Sequence, residues 1–406
     1  MWAAYAALVT GVLVNKCCPR APVPSRAPTP SMVVSSKFTA LMAGEDRVTD
    51  FGDCISTRTA DWRPHDDPCN FGSAELTAKI IDPAGCQPRE MHLVKHLLRE
   101  DEIDSLLCTL DRTLEHDGTG THANILVEDG VVVSEAFALL QPALEERILP
   151  YVRARYGDHR VVVADALMRA YRPEDKRQAL APHFDTSSFA TVIIPLSAGQ
   201  YEGGLYIQEG AGANSRIDVD ASFSKGDALI HRFDVMHGVE VTSGSRYSLV
   251  LWLSDCQESV EKAATPWLEG AADSGNAYAQ FLYAECCKVG RYGIAKDLAK
   301  AVDHGHRAAN QGHALSQHNL GYLYRSGTGV PQSHERCFDL WMQAAEGGLA
   351  AAQYDVAICF AYCNLGVAFD ESKAMYWYEQ AARQGHADAA MELRLTPWRM
   401  PWVDEE

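Results

Sequence analysis

His183, Phe184 and Asp185, followed by His237 and Arg246, are the residues of this 406-residue chain whose types and spacing can do chemistry. On a strand, positions i and i+2 share one face, so the His183 imidazole and the Asp185 carboxylate can converge on one ion. His237, 52 positions after Asp185, offers a third donor from a later strand. Two histidines and one carboxylate make the set that binds non-haem Fe(II) with coordination positions left open. A saturated site would hold a metal structurally, whereas this one leaves room for a bidentate 2-oxo acid and for O2. Arg246 lies nine positions past His237, in a stretch that reads as strand, turn, strand, with Thr242-Ser243-Gly244-Ser245 as the turn. It would then sit beside the metal, where its fork can clamp a carboxylate, and Ser248 would share its face. His231 competes for the third position from another strand end, but only His237 has the Gly-Val-x-Val strand and the arginine spacing behind it. Asp234 reads as a turn or surface residue.

The elements that must position these residues are strands with helices outside them. Met91-His92-Leu93-Val94 reads as a strand feeding a helix whose first turn is acidic, at Glu100-Asp101-Glu102. Ala136 through Val152 reads as a second helix, and both would pack on the outer side of a strand core. Further motifs follow in order: Tyr171 in Ala170-Tyr171-Arg172-Pro173, Pro182-His183-Phe184-Asp185, the strand Thr191-Val192-Ile193-Ile194-Pro195-Leu196, and the hairpin segment Tyr201-Glu202-Gly203-Gly204. Lys225-Gly226-Asp227-Ala228-Leu229 and Arg246-Tyr247-Ser248-Leu249-Val250-Leu251-Trp252 complete the series.

With these motifs in this order, residues 89–255 resemble the 2-oxoglutarate/Fe(II) dioxygenases, and among them the prolyl 4-hydroxylase-like group. The resemblance implies a double-stranded β-helix (jelly-roll) in which His183, Asp185 and His237 bind Fe(II) and Arg246 binds the distal carboxylate of 2-oxoglutarate. Tyr171 resembles a tyrosine that lines the co-substrate pocket, although packing in the core would equally explain it. Ascorbate is implied as a reductant. Relatives that halogenate lack the carboxylate, so Asp185 points to hydroxylation. Two features depart from the pattern: Leu180 replaces an aromatic expected three places before His183, and Arg246 stands where the collagen-type enzymes carry lysine. The second departure is shared with the oxygen-sensing prolyl hydroxylases; it leaves 2-oxoglutarate use intact and opens the question of substrate.

The C-terminal third repeats. Gly275-Asn276-Ala277, Gly312-His313-Ala314, Gly348-Leu349-Ala350 and Gly385-His386-Ala387 recur at intervals of 37, 36 and 37 residues, each behind an Ala-Ala pair. A period of that length marks a helical solenoid. A second set of glycines, at Gly290, Gly327 and Gly366, marks the turn inside each unit, where positive φ is needed. Residues 260–395 resemble Sel1-like repeats, relatives of tetratricopeptide repeats, with about three full units. A solenoid offers an extended face to a peptide or partner protein, and as a separable recruiter its removal would cost substrate affinity while sparing uncoupled 2-oxoglutarate turnover. The fold class expected is therefore mixed, an oxygenase core with flanking helices followed by an all-α repeat solenoid.

Composition bounds what remains. A net charge of −18 argues against non-specific nucleic-acid binding, so no nucleic acid is expected as a partner. Residues 1–44 hold four basic residues and no acid, with an apolar start at Met1–Val14 that is too short for a membrane span but suits a signal-peptide core or an uncleaved anchor. Secretory pathway or endoplasmic reticulum is the address favoured, with plastid or mitochondrion as alternatives. Residues 45–88 read as an irregular linker in which Cys54, Cys69 and Cys86 could pair. Cys286, Cys287, Cys337, Cys359 and Cys363 read as buried free thiols in helices. Residues 396–406 form a tail with two tryptophans.

Two function classes follow. One is an Fe(II)- and 2-oxoglutarate-dependent hydroxylase of a protein or peptide, at proline by resemblance, with lysine or a small molecule as other targets. The other is a repeat adaptor whose oxygenase domain is vestigial, a reading that the complete ligand set opposes.

Overall fold

The computed structural model describes residues 58–59, 63–64, 75–80, 89–114, 123–158, 160–175, 178–208 and 216–395. Fourteen strands are present among them: β1 (Arg58–Thr59), β2 (Arg63–Pro64), β3 (Glu75–Ile80), β4 (Arg89–Val94), β5 (Ala123–Glu128), β6 (Val131–Val132) and β7 (Val162–Tyr171). They continue with β8 (Ala179–His183), β9 (Ala190–Pro195), β10 (Tyr201–Gln208), β11 (Arg216–Asp218), β12 (Ala228–Arg232), β13 (His237–Gly244) and β14 (Arg246–Ser254). They form a five-stranded sheet, β1-β11-β10-β13-β8, and a nine-stranded sheet, β2-β3-β4-β12-β9-β14-β7-β5-β6. All pairs are antiparallel except β1 with β11.

Two apolar clusters explain the strand patterns. Leu205, Ile207, Val239 and Val241 of the small sheet meet Met91, Tyr171, Ile193 and Leu229 of the large one. On the large sheet's other face, Val192, Ile194, Leu249 and Leu251 meet Ile103, Leu106 and Leu110 of the helix Glu100–Leu114. Strand β9 is covered on both sides and buried at every position. Along β14 the side chains alternate, with Leu249, Leu251 and Leu253 outward in the helix-facing cluster and Val250 inward. Arg246 and Ser248 have the inward parity.

Several expectations need correction. The segment 45–88 is not wholly irregular, because β3 pairs with β4 along its whole length and so covers what would be a bare sheet edge. The expected helix over 136–152 is entered by a 3-10 turn (Glu135–Leu139) and then runs without a gap from Gln141 to Tyr156, with a π turn over Leu144–Ile148. Pro142 stands in its first turn, where no N–H is needed, and Pro150 lacks the N–H that a regular α-helix would use at the end of the π turn. Tyr201-Glu202-Gly203-Gly204 opens β10, which pairs antiparallel with the next strand, β11, and carries a bulge between Glu202 and Gly203. Strands β13 and β14 do not form the expected hairpin: β13 pairs with β10 and β8, while β14 pairs with β7 and β9. The chain crosses from one sheet to the other at Ser245, just past Gly244, whose φ is +76° and where a Cβ would stand 2.3 Å from the Gln200 carbonyl oxygen.

Beyond Ser254, helices Gln257–Glu261 and Pro266–Asp273 lead into three pairs: Ala277–Val289 with Leu298–Asn310, Ala314–Ser326 with His334–Glu346, and Ala350–Tyr362 with Glu371–Arg383. Ala387–Leu395 follows. The alanine pairs sit where helices meet, with Ala308, Ala309, Ala344 and Ala345 buried. A feature that the alanine and glycine pattern did not reveal is a buried glutamine in each unit. Gln280, Gln317 and Gln353 donate to the carbonyls of Ala272, Ala309 and Ala345, at 3.0, 3.1 and 3.1 Å, and so satisfy the end of the preceding helix. Cys286, Cys287, Cys337 and Cys359 are buried, but Cys363 is exposed, a correction. It occupies the left-handed position (φ 54°) that Gly290 and Gly327 fill in the earlier units, past the last buried turn.

Expectations for residues 1–44, for Cys54, Cys69 and Cys86, and for the tail 396–406 lie outside the described residues. Among the described residues no helix is long and apolar enough to cross a membrane.

Candidate metal centre

His183 ends β8 and His237 begins β13, and the two are directly paired across the ladder with ring centroids 4.5 Å apart. Asp185 is not on the strand, as the i, i+2 argument assumed. It lies in the loop between β8 and β9, where Thr191 of β9 donates to its Oδ2 at 2.7 Å and turns the carboxylate toward the histidines. His183 Nε2 is 3.6 Å from Asp185 Oδ1, and His237 Nε2 is 3.6 Å from Asp185 Oδ2. The three donor atoms lie within 4.8 Å of one another, and among the described residues they are the one such group of three. Donors held about 2.1 Å from one ion at right angles stand about 3 Å apart, so the group needs only a small inward adjustment to take a metal.

Each imidazole is set in the tautomer that ligation needs. His183 Nδ1 is 3.0 Å from the Ala181 carbonyl and His237 Nδ1 is 3.2 Å from the Val235 carbonyl. An N–H on Nδ1 donates to each carbonyl, leaving the Nε2 lone pair for a metal. Burial pushes the His237 imidazole well below its usual pKa, against the pull of Asp185, and keeps it neutral. Burial alone would raise the Asp185 carboxyl, but His237, His183, His231 and the Thr191 hydrogen bond together hold it below the ordinary range.

His231, the competitor, is fully buried with its ring 4.5 Å from that of His237, yet it is not one of the three converging donors. Its Nδ1 is 2.9 Å from the Arg232 carbonyl and its Nε2 has no hydrogen-bond partner. Asp234, expected at a turn or surface, is buried and accepts a 2.9 Å hydrogen bond from Asn276.

Arg246 opens β14 with 1% of its side chain exposed. Its Nε donates to Asp220 Oδ2 at 2.7 Å, and that oxygen also accepts from the Tyr201 hydroxyl (2.9 Å) and the Leu205 amide (2.8 Å). Gly204 makes room for the carboxylate, since a Cβ there would stand 2.0 Å from Asp220 Oδ2. The Arg246 Nη2 is buried without a partner, a donor available to a ligand carboxylate. Tyr171 is the ladder partner of Arg246, its ring centroid 5.7 Å from the guanidinium, and it also packs in the inter-sheet core. Both roles weighed for Tyr171 are therefore compatible with its position. Ser248 is buried two residues along from Arg246. Sequence reasoning missed Thr191, Asp220 and Tyr201. Thr191 carried a signal, as the polar residue in an apolar strand, whereas Asp220 carried none.

Comparison with known proteins addresses the two regions unequally. The Sel1 repeat family model matches residues 277–313, 314–349 and 350–386. The helical array is a run of Sel1 repeats. Chitin synthase regulatory factor 3 of Schizosaccharomyces pombe is 30% identical over 105 residues, 26% of this chain and 11% of that protein. The chain spans 11, 26 and 29% of the length of three curated relatives that it matches. Among solved structures, the non-heme alpha ketoglutarate dependent epimerase SnoN from nogalamycin biosynthesis is similar at 18% identity, covering 41% of this chain and 77% of its own, with a TM-score of 0.33. A viral collagen prolyl hydroxylase from Paramecium Bursaria Chlorella virus-1 is similar at 15% identity, covering 40% and 89%, with a TM-score of 0.30. Likeness at these scores is partial, and the chemistry has to be read from the side chains.

Proposed function

We propose that this chain is an Fe(II)- and 2-oxoglutarate-dependent oxygenase, its catalytic domain within residues 89–255, that hydroxylates a protein or peptide at proline, and that its Sel1 repeats engage the substrate or a protein partner. The observation that carries the reading is the convergence of His183, Asp185 and His237 within 4.8 Å, with both imidazole tautomers preset. The donor set fits iron, and the orphaned Nη2 of a buried arginine fits a co-substrate carboxylate.

In this reading His183, Asp185 and His237 hold the ion, and Arg246 holds the distal carboxylate of 2-oxoglutarate with Ser248 and Tyr171 beside it. When bound, iron and 2-oxoglutarate supply the oxidising chemistry, consuming O2 and releasing succinate and CO2, with ascorbate as the reductant implied by resemblance. The chain's own contribution is placement. Thr191 aims Asp185, and Asp220 with Tyr201 fixes the arginine so that its fork is oriented before the co-substrate arrives. Burial of all these groups except the part-exposed His183 and Tyr201 limits water at the site.

The test is succinate release in air from the protein loaded with Fe(II) and 2-oxoglutarate, with and without a panel of proline-rich peptides. Peptide-stimulated succinate together with one added oxygen on proline is the expected result. Slow succinate unaffected by any peptide would reject the prolyl substrate and keep the oxygenase.

A further inference from the structure

The two loops that carry the proposed ligands are both held by the first Sel1 repeat. Phe184, between His183 and Asp185, places its ring 5.8 Å from Tyr278 and 6.4 Å from Phe281, in the helix Ala277–Val289. The ring of His313, the last residue of the first repeat and the cap of the helix Ala314–Ser326, backs both aromatics at 4.5 and 4.8 Å. The second loop, Phe233-Asp234-Val235, leads directly into His237. Phe233 packs with Leu268, Phe281 and Leu282. Asp234 Oδ2 accepts from Asn276 Nδ2 at 2.9 Å, while Asn276 Oδ1 caps the helix by accepting from the Ala279 amide. The Asp234 carbonyl accepts from Arg89 at 3.2 Å, and the Arg89 guanidinium lies 3.9 Å from the Tyr278 ring centroid. Arg89 is 2% exposed and its Nε and Nη2 have no hydrogen-bond partner, so the Tyr278 ring is a principal compensation for that buried charge. The next residue, Val235, supplies the carbonyl that sets the His237 tautomer.

We infer that the first Sel1 repeat, with the Asn276 cap that precedes it, is a working part of the metal centre: Asn276, Tyr278 and Phe281 are positioning residues that set the separation of the His183-x-Asp185 loop from the His237 loop. The inference rests on reading His183, Asp185 and His237 as metal ligands. It makes metal affinity depend on side chains that touch no ligand atom, through the aromatic contact on one loop and the Asn276–Asp234 hydrogen bond on the other. Supporting groups of this kind alter metal affinity by about 10–100-fold.

The test uses the full chain and Co(II) as the probe, reading its affinity and its visible ligand-field spectrum rather than turnover. Asn276→Asp keeps a helix cap but sets a carboxylate against Asp234. It is expected to weaken Co(II) binding about tenfold and alter the spectrum, with little change in melting temperature. Tyr278→Ala with Phe281→Ala is expected to do the same more strongly, and Tyr278→Phe, which keeps the ring, to bind as the unaltered protein does. Tyr354→Ala, in the third repeat against Tyr378 and His386, serves as the control for general loosening of the array. Unchanged affinity and spectrum in Asn276→Asp would overturn the inference, as would an equal loss in Tyr354→Ala. No Co(II) binding by the unaltered protein would instead remove the metal reading itself, and the inference with it.

Discussion

The sheet region and the Sel1 array solve the same problem, burying polar groups inside an apolar fold, by opposite means. In the array one buried polar contact is local and repeated: Gln280, Gln317 and Gln353 make the same bond in three successive units. In the sheets the contacts are singular and distant in sequence. Arg246 depends on Asp220, 26 residues away, and one oxygen of that aspartate serves a guanidinium, a hydroxyl and an amide at once. A repeated contact can be lost in one unit with the others intact, whereas each singular contact orients one functional group. Altering the sheets should therefore change what the metal site binds, and altering a distal repeat should leave the binding of metal and co-substrate intact.

The largest effect expected is at Asp185. Asp185→Ala removes the donor that lies between both histidines and should weaken Fe(II) binding by at least about 100-fold, measured by anaerobic calorimetry. Binding within threefold of the unaltered protein would break the assignment. Next comes Arg246→Lys, which retains a cation for Asp220 but loses the fork. Charge-assisted hydrogen bonds of about 1.5–3 kcal/mol translate to roughly 10–100-fold weaker 2-oxoglutarate binding with Fe(II) affinity unchanged. Arg246→Ala is a poorer probe, because it strands a buried carboxylate at a cost of about 3–5 kcal/mol. Thr191→Val, which deletes the hydrogen bond to Asp185 at constant shape, should weaken Fe(II) binding about tenfold and leave co-substrate affinity measured on the saturated protein unaltered.

Acid should act on both regions, since burial also depresses His304, His306 and His386 in the repeats. Burial depresses the pKa of both His237 and His231, so between their folded values and about 6.5 the unfolded chain binds more protons than the folded one. The metal-free protein should therefore lose stability as pH falls below about 6.5, and Fe(II), which binds neutral imidazole, should oppose that loss near neutrality. A melting temperature that rises on acidification would contradict the burial of these rings. The smallest effect is expected at Cys363. Restoring the glycine found at the equivalent turns, Cys363→Gly, should relieve the left-handed backbone and raise stability by about 0.5–1 kcal/mol, with no change in metal affinity.

The same contrast governs what was legible in the sequence. The repeats could be read nearly to the residue, because small alanines and turn glycines recur at a fixed period and each unit is a local structure. The donors His183, Asp185 and His237 could be singled out because the His-x-Asp spacing and the downstream arginine are themselves short-range patterns. What could not be read was how they are held. The His-x-Asp spacing places Asp185 on a strand face, whereas Thr191 of the next strand sets it from a loop. The strand-turn-strand pattern places Arg246 in a hairpin with β13, yet it lies in the opposite sheet, because the crossing at Ser245 depends on a close backbone approach at Gly244 that no local pattern announces. Nor could the seam be read. The repeats looked like a separable recruiter, yet Phe184 and Asp234 tie the ligand loops to Tyr278, Phe281 and Asn276, so removing residues 260–406 should cost metal binding as well as substrate affinity.

The most direct test of the central claim is an anaerobic titration of the full chain with Fe(II), followed by 2-oxoglutarate, read by calorimetry. One Fe(II) per chain is expected, with 2-oxoglutarate binding in an Fe(II)-dependent manner and weakened in Arg246→Lys. Absence of stoichiometric Fe(II) binding, or binding that survives Asp185→Ala, would contradict the account.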